Sequence, residues 1–325
     1  MGDPYILMLV ALAVLAIVDL VVGVSNDAVN FLNSAIGSKA ISVRNIMIIA
    51  SLGVFAGAIT SSGMMEVARK GIFNPSMFMF QDIMFIFMAV MITDILLLDV
   101  FNSLGMPTST TVSIVFELLG AAVCISLIKI SANDAQSFSD LWSYINHETA
   151  TKIIFGILLS VVVAFSIGAI VQFLSRLIYS FNFEQRPTYI SALFGGFAIT
   201  AITYFIIIKG MKGTPFYKDV KFLIEGNTLL IIAGSFVVWA IISQIFIQAF
   251  KINILKLIIG IGTFSLAMAF SGNDLVNFVG VPIAAWNSYE AWSVSGVSAD
   301  AFSMGVLAKK VPSNVWLLLF AGGIM

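Results

Sequence analysis

The sequence predicts an all-α protein that crosses a membrane several times. Of its 325 residues, 60% are hydrophobic and only 10% are charged, whereas a soluble globular domain carries about 25% charged residues. Because so little charge cannot cover the surface of a soluble core, the exterior is expected to face lipid. The composition therefore excludes a soluble enzyme, a nucleic-acid-binding protein and a disordered chain.

Eight apolar stretches are long enough to form transmembrane helices, each of which needs about 20 residues. They cover residues 5–24, 44–62, 79–101, 108–130, 152–180, 190–209, 228–250 and 253–271. Shorter apolar segments follow the first and the eighth stretch, at 27–38 and 274–286. A ninth stretch begins at Val315 and is still apolar at Met325, so we expect the second half of the fold to be incomplete in this sequence.

A short polar motif occurs near both ends of the chain. Residues 25–30 read Ser-Asn-Asp-Ala-Val-Asn, residues 272–277 read Gly-Asn-Asp-Leu-Val-Asn, and each copy follows a long apolar stretch. Paired interrupted segments are typical of the binding site of a secondary transporter. We therefore predict a first transmembrane repeat at 1–130, intervening helices and connectors at 131–227, and the start of a second repeat at 228–325, with a broken-helix hairpin at each motif.

The two motifs are predicted to bind a cation. An ionised aspartate that faces lipid is unfavourable by roughly 3 kcal/mol, so these side chains are expected to line a cavity. Carboxylate and amide oxygens there suit a hard cation such as Na⁺. Capping of a broken helix is the alternative for either copy alone. The predicted cation ligands are Asn26, Asp27, Asn30, Asn273, Asp274 and Asn277.

The start of the fourth stretch is predicted to bind an anion. Ser109, Thr110 and Thr111 follow Pro107, and proline favours the first turn of a helix. Free N–H groups and the helix dipole attract anions at such a position. Plain capping of the helix by Thr108 or Ser109 is the alternative.

The charge pattern indicates what else binds. No Lys or Arg occurs in residues 1–38, 71–128 or 257–308, so co-bound Na⁺ or protons must offset the anion and the aspartates. The only histidine, His147, lies in a polar connector, which favours Na⁺ over a histidine proton relay. Further acidic residues inside the spans are candidates for lining the pathway. They are Asp19, Asp94 and Glu117.

The acidic residues also bear on the identity of the anion. An ionised aspartate only accepts hydrogen bonds. Phosphate retains a P–OH group near neutral pH, since the comparable phosphoester pKa is about 6, whereas sulfate has no proton to donate. An anion site that includes Asp27 and Asp274 is therefore expected to accept phosphate and to repel sulfate.

These motifs resemble those of the PiT family of inorganic phosphate transporters. Residues 23–40 and 272–285 resemble its duplicated Gly-Ala-Asn-Asp-x-Ala-Asn signature, and Pro107-Thr-Ser-Thr-Thr111 resembles its Pro-x-Ser-Thr-Thr element. The resemblance implies an inverted-repeat secondary transporter that takes up phosphate by alternating access, without enzymatic activity. Two departures are Val112, where the family commonly has histidine, and the absence of a second Pro-x-Ser-Thr-Thr element.

Several alternatives stay open at this point. The same scaffold could couple phosphate to protons, or carry sulfate or another oxyanion. An intramembrane aspartyl protease would need a Gly-x-Gly-Asp element and a Tyr-Asp pair, which the sequence lacks, and a channel would not accumulate its ion. The expected partners are inorganic phosphate, Na⁺ as coupling ion and the lipid bilayer, with no further cofactor. A multi-pass protein of the bacterial inner membrane is expected, and homo-oligomerisation is possible.

Overall fold

The computed structural model describes residues 3–60, 72–179, 187–207, 221–222, 224, 226–308, 320–321 and 323–324. Within these ranges the chain forms eight long helices, numbered here in chain order. They are α1 Pro4–Ser38, α2 Val43–Thr60, α3 Phe80–Leu104, α4 Thr110–Ser131, α5 His147–Ile178, α6 Thr188–Phe205, α7 Thr228–Ala249 and α8 Ile254–Ser293. A one-turn helix lies at Leu141–Tyr144, and 3₁₀ helices lie at Pro75–Met77, Phe138–Asp140 and Met304–Ala308.

The helices confirm a multi-pass, all-α membrane protein. In the described part of the chain, seven helices are long and apolar enough to cross a bilayer, and the apolar part of α2 is shorter. Each of the eight predicted stretches coincides with one helix. The ends of the second, fifth and sixth stretches and most of the ninth lie outside the described residues.

The prediction of a helix break at each polar motif is wrong. Helix α1 runs without interruption from Pro4 to Ser38, and α8 runs from Ile254 to Ser293 with Pro282 inside it. The physical reason is that side chains and a turn of neighbouring elements satisfy the polar groups of the motifs, as described below. Each helix therefore continues through its motif. The predicted repeat boundaries stay a prediction.

The chain divides into two compact units. The first comprises Met1–Asn30, Val54–Lys152 and Phe270–Met325, and the second comprises Phe31–Gly53 and Ile153–Ala269. In the second unit, α6 packs closely on α7, because a Cβ atom at Gly196 would lie 2.8 Å from the Cβ of Ala240. Small residues at such contacts are typical of membrane helices.

In the first unit, α1 and α8 meet at a glycine just before the first motif. A Cβ atom at Gly23 would lie 2.2 Å from Cε1 of Phe278, whose ring is fully buried. At the other end of the same helices, Tyr5 packs edge-on against Trp292 at a centroid distance of 5.2 Å, and Tyr289 donates to Asp3 at 3.0 Å. These contacts place the motif-bearing parts of α1 and α8 side by side.

Candidate functional site

A short turn presents the start of α4. Gly105 ends α3 in the left-handed conformation, with φ 67°, which favours glycine. Ser109 then caps α4, because its Oγ accepts a hydrogen bond from the N–H of Val112 at 3.4 Å. The N–H groups of Thr110 and Thr111 belong to the first helical turn, where the helix itself offers no acceptor. They are therefore available to an anion.

Asn26 of the first motif ties this turn to α1. Its Oδ1 accepts from the N–H of Thr108 at 2.8 Å, and its Nδ2 donates to Oδ1 of Asn102 at 3.0 Å and to the carbonyl of Met106 at 3.1 Å. Asn102 in turn donates to the carbonyl of Val22 at 3.0 Å. Both polar atoms of the Asn26 amide are thus engaged with protein groups, so this residue positions the turn.

Asp274 of the second motif lies where the first turn of α4 meets α8. Its Oδ1 accepts from the hydroxyls of Thr110 at 3.2 Å and Thr111 at 3.1 Å. The same oxygen accepts from Nδ2 of Asn273 at 3.2 Å and of Asn277 at 3.0 Å. Four donors around one oxygen fit an ionised carboxylate, because hydrogen bonds of this kind favour the charged form.

Asp27 of the first motif faces the same place. It is 2% exposed and accepts from Nδ2 of Asn30 at 3.3 Å. It also interacts electrostatically with Asp274 and with the hydroxyl of Thr110. The two aspartates, which are far apart in the sequence, therefore meet at the start of α4. We call the residues Asp27, Thr110, Thr111 and Asp274, with Asn30, Asn273 and Asn277, the two-aspartate site.

The structure brings most of the sequence-predicted residues together. Of the predicted cation and anion ligands, two lie outside the two-aspartate site. Asn26 holds the turn before α4, and Ser109 caps α4, which is the alternative role considered for it in the sequence. Two residues that hydrogen-bond to predicted residues were not predicted: Asn102, which bonds to Asn26, and Ser113, which bonds to Asp94 and Glu117. Each is a single polar residue within an apolar helix and belongs to no repeated motif, so its polarity was the only available signal.

The three acidic candidates for the pathway form a second group in the same unit. Asp94 of α3 and Glu117 of α4 both contact the hydroxyl of Ser113, at 2.6 Å from Asp94 Oδ1 and 2.6 Å from Glu117 Oε1. Asp19 of α1 interacts electrostatically with both carboxyls. We call Asp19, Asp94 and Glu117, with Ser113, the carboxyl cluster.

A cavity of about 520 Å³ lies between α3 and α4. Thr108 of the turn and Ser113 and Glu117 of the carboxyl cluster line it. Its wall is mostly apolar and includes Val112. The other lining residues include Thr93, Leu97, Phe101 and Phe116.

Comparisons with known proteins identify relatives of this chain. A model described as "Phosphate transporter family" matches residues 23–325. A "Putative phosphate permease" of Thermococcus kodakarensis is 27% identical, over 92% of this chain and 68% of that protein. A protein of the same description from Pyrococcus furiosus is 24% identical, over 92% and 67%.

The fold resembles a solved structure as well. The structure of a sodium-dependent phosphate transporter superposes with a TM-score of 0.69, covering 98% of this chain and 73% of that chain. Sequence identity to it is 22%, so this likeness bears on the fold. It agrees with the all-α membrane architecture of the described helices.

Proposed function

The chain belongs to the phosphate transporter family, and we propose that it moves inorganic phosphate across the membrane together with Na⁺. Its family and fold are those of a transporter and not of an enzyme. One observation supports the finer proposal more than any other. Asp274, from the second motif, accepts hydrogen bonds from Thr110 and Thr111 of the Pro-Thr-Ser-Thr-Thr segment, so three motifs of the sequence contribute to one site.

The anion would bind at the first turn of α4. The N–H groups of Thr110 and Thr111 point away from the helix at its positive end. The hydroxyls of the same two residues can rotate from Asp274 to a phosphate oxygen. No Lys or Arg occurs in residues 71–128 or 257–308, so these segments offer backbone and hydroxyl donors and no fixed positive charge.

The aspartates would select phosphate over sulfate. Once the Thr110 and Thr111 hydroxyls turn to the anion, Asp274 loses two hydrogen-bond donors. Asp27 and Asp274 can then accept a hydrogen bond from the anion itself. Phosphate near neutral pH supplies a P–OH hydrogen, and sulfate supplies none. A sulfate at the same position would place its oxygens against two carboxylates without a hydrogen between them.

Na⁺ would offset the negative charge. The hydrogen bonds of Asn30, Asn273 and Asn277 use their NH₂ groups, which leaves amide oxygens as ligands beside the aspartates. Oxygens of this type suit a hard cation. The sodium dependence named for the structural neighbour is consistent with this proposal. Alternating access, a bacterial inner membrane and a homo-oligomeric state stay predictions.

Uptake of radiolabelled phosphate into proteoliposomes tests the proposal. The purified protein is compared with Asp27→Asn and with Asp99→Asn, which makes the same change at an exposed position of α3. We expect an inward Na⁺ gradient to drive uptake in the unmodified protein and in Asp99→Asn, and uptake to be lost in Asp27→Asn.

Two results would contradict parts of the proposal. Uptake driven by a pH gradient without Na⁺ would retain phosphate as substrate and reject Na⁺ coupling. Uptake of sulfate in place of phosphate, under either gradient, would reject the role given to the aspartates.

A further inference from the structure

The carboxyl cluster places three acidic side chains in one buried layer. Asp19 and Asp94 are fully buried, each with 0% exposure, and Glu117 is partly buried. Asp19 comes from α1, Asp94 from α3 and Glu117 from α4, and Ser113 bridges the last two. In the hydrocarbon region an unpaired ionised carboxylate is strongly unfavourable, so the cluster needs a positive partner or a proton.

The hydrogen-bond geometry around Ser113 calls for a proton. Its Oγ lies 2.6 Å from Asp94 Oδ1 and 2.6 Å from Glu117 Oε1. A serine hydroxyl carries a single hydrogen, and an ionised carboxylate carries none. One of the two short contacts can therefore be a hydrogen bond from serine, and the other needs a hydrogen on the carboxyl group. At least one proton on Asp94 or Glu117 satisfies both contacts.

The remaining oxygens of the cluster also indicate that it holds a proton. Both oxygens of Asp19, together with Asp94 Oδ2 and Glu117 Oε2, are buried without a hydrogen-bond partner. Asp19 interacts electrostatically with Asp94, and two neighbouring carboxyls can bond to each other when one of them is protonated. Two close carboxylates that share a proton are a familiar solution to like-charge repulsion.

We infer that Asp19, Asp94 and Glu117, bridged by Ser113, form a proton-binding site separate from the two-aspartate site. The contrast with Asp274 supports the separation, because one Asp274 oxygen has four donors and is satisfied as an anion. A metal ion fits the cluster less well than a proton. Within the described ranges, no three acidic, histidine or cysteine side chains are arranged to hold a metal ion.

The charged groups near the cluster are few. Asp27 of α1 interacts electrostatically with Asp94, which links the cluster to the two-aspartate site. The basic residue of α4 is Lys129, twelve positions beyond Glu117 in the sequence, and it is paired with Asp82 at 2.5 Å. On α8, the acidic group that faces Asp27 is Asp274. The cluster therefore has acidic neighbours, which favour retention of its proton.

Release of this proton would affect substrate binding, a consequence that rests on the proposed function. Loss of the proton adds negative charge beside Asp27. A phosphate anion at the start of α4 would then be repelled more strongly, so its affinity is expected to fall as the cluster ionises. The proton-binding site itself does not depend on what the protein transports.

Infrared spectroscopy of the purified protein tests the site without any transport assay. A protonated carboxyl has a C=O stretch above the amide band, and this stretch shifts in D₂O. We expect the unmodified protein and Asp99→Asn to show this band at neutral pH. We expect at least one of the single variants Asp94→Asn and Glu117→Gln to lose intensity. We expect the triple variant Asp19→Asn, Asp94→Asn, Glu117→Gln to lose the cluster's component. Carbon-13 labelling of aspartate separates the Asp contribution from that of Glu117.

A second variant covers the case in which the triple variant does not fold. Ser113→Ala keeps all three carboxyls and removes the bridging hydroxyl, so the band should persist at a shifted frequency. Three results would overturn the proposal. They are a missing band in the unmodified protein at neutral pH, an unchanged band in both Asp94→Asn and Glu117→Gln, and an unshifted band in Ser113→Ala.

A thermal comparison separates a proton from a sodium ion. If the cluster bound Na⁺, replacing choline chloride with NaCl would raise the unfolding temperature of the unmodified protein more than that of Asp94→Asn. That result, together with a missing carboxyl band, would replace the proton with sodium. Equal shifts in the two proteins, with the band present, support the proton. A failed phosphate uptake assay with the band present would reject the proposed function and leave the proton site standing.

Discussion

Removing the Thr111 hydroxyl is a specific test of the two-aspartate site. Its Oγ1 donates to Asp274 at 3.1 Å and accepts from Asn277 at 2.9 Å, so it joins the start of α4 to the second motif. Thr111→Val replaces this hydroxyl by a methyl group of similar size and keeps the branched side chain. The substitution therefore removes the hydrogen bonds with little change in packing.

The size of the effect follows from these contacts. A hydrogen bond to a charged group contributes about 1.5–3 kcal/mol, and the NH₂ group of Asn277 also loses an acceptor. If the two losses misalign Asp274 and remove one donor from the bound anion, phosphate binding should weaken by about 2 kcal/mol. This corresponds to a rise of about 30-fold in the dissociation constant.

Isothermal titration of phosphate into the purified protein in Na⁺ buffer measures this change. The matched control is Thr263→Val on α8. Thr263 is also buried, at 3% exposure, and its hydroxyl donates to the carbonyl of Ile259 one turn earlier at 2.9 Å. The control makes the same substitution in a membrane helix without touching the two-aspartate site, so it should leave the affinity unchanged.

Two results would refute this reasoning. A folded Thr111→Val protein that binds phosphate as tightly as the unmodified protein would mean that the Thr111–Asp274 contact takes no part in binding. An equal loss in Thr263→Val would mean that any hydroxyl removed from a membrane helix weakens binding, so the effect would report on general stability.

Three further predictions follow from the same contacts. Asp274→Asn supplies an NH₂ donor where the unmodified protein offers acceptors, so sulfate should compete with phosphate binding in the variant and not in the unmodified protein. Gly23→Ala should lower the free energy of unfolding by about 1–3 kcal/mol through overpacking, measured by thermal unfolding in detergent. The control Gly37→Ala, on the same helix, should not, because a Cβ atom there would lie 4.0 Å from its nearest neighbour, Oδ1 of Asn33. Asn102→Ala removes the hydrogen bonds that join α3 to Asn26 and Val22 of α1. It should lower the free energy of unfolding by about 1–3 kcal/mol and also weaken phosphate binding, because Asn26 positions the turn before α4. Normal binding would show that Asn26 is held by other contacts.

The positions of the helices could be predicted from the sequence, because length and hydrophobicity alone decide whether a segment can cross lipid. The duplicated Asn-Asp motif and the Pro-Thr-Ser-Thr-Thr segment likewise indicated the residues that the structure brings together at Asp274. The course of the backbone could not be predicted. An Asn-Asp pair is compatible with a broken helix and with an intact one, and the outcome depends on partners such as Asn102 that come from elsewhere in the chain.

The sequence indicated Asp19, Asp94 and Glu117 as candidates for lining the pathway, but it did not indicate that they form one cluster. Asp94 and Asp99 lie on the same apolar helix, and one is fully buried whereas the other is exposed. Burial depends on which face of α3 packs against its neighbours, and hydrophobicity that surrounds the helix on all sides does not reveal that face. The role of Ser113 could not be predicted either, because a serine in a membrane helix more often bonds to its own backbone.

The two groups of acidic residues have a joint consequence for the charge that the protein must neutralise. If Asp19, Asp27, Asp94, Glu117 and Asp274 were all ionised, phosphate would enter a region that already carried five negative charges. Two like charges about 4 Å apart repel each other by about 4 kcal/mol at an effective dielectric constant of about 20. Protons held by the carboxyl cluster would reduce this repulsion permanently, without an ion that must be bound and released in each cycle. Asp27 and Asp274 would then be the charges left for Na⁺ to offset, and a variant that ionises the cluster should need more Na⁺ to bind the same amount of phosphate.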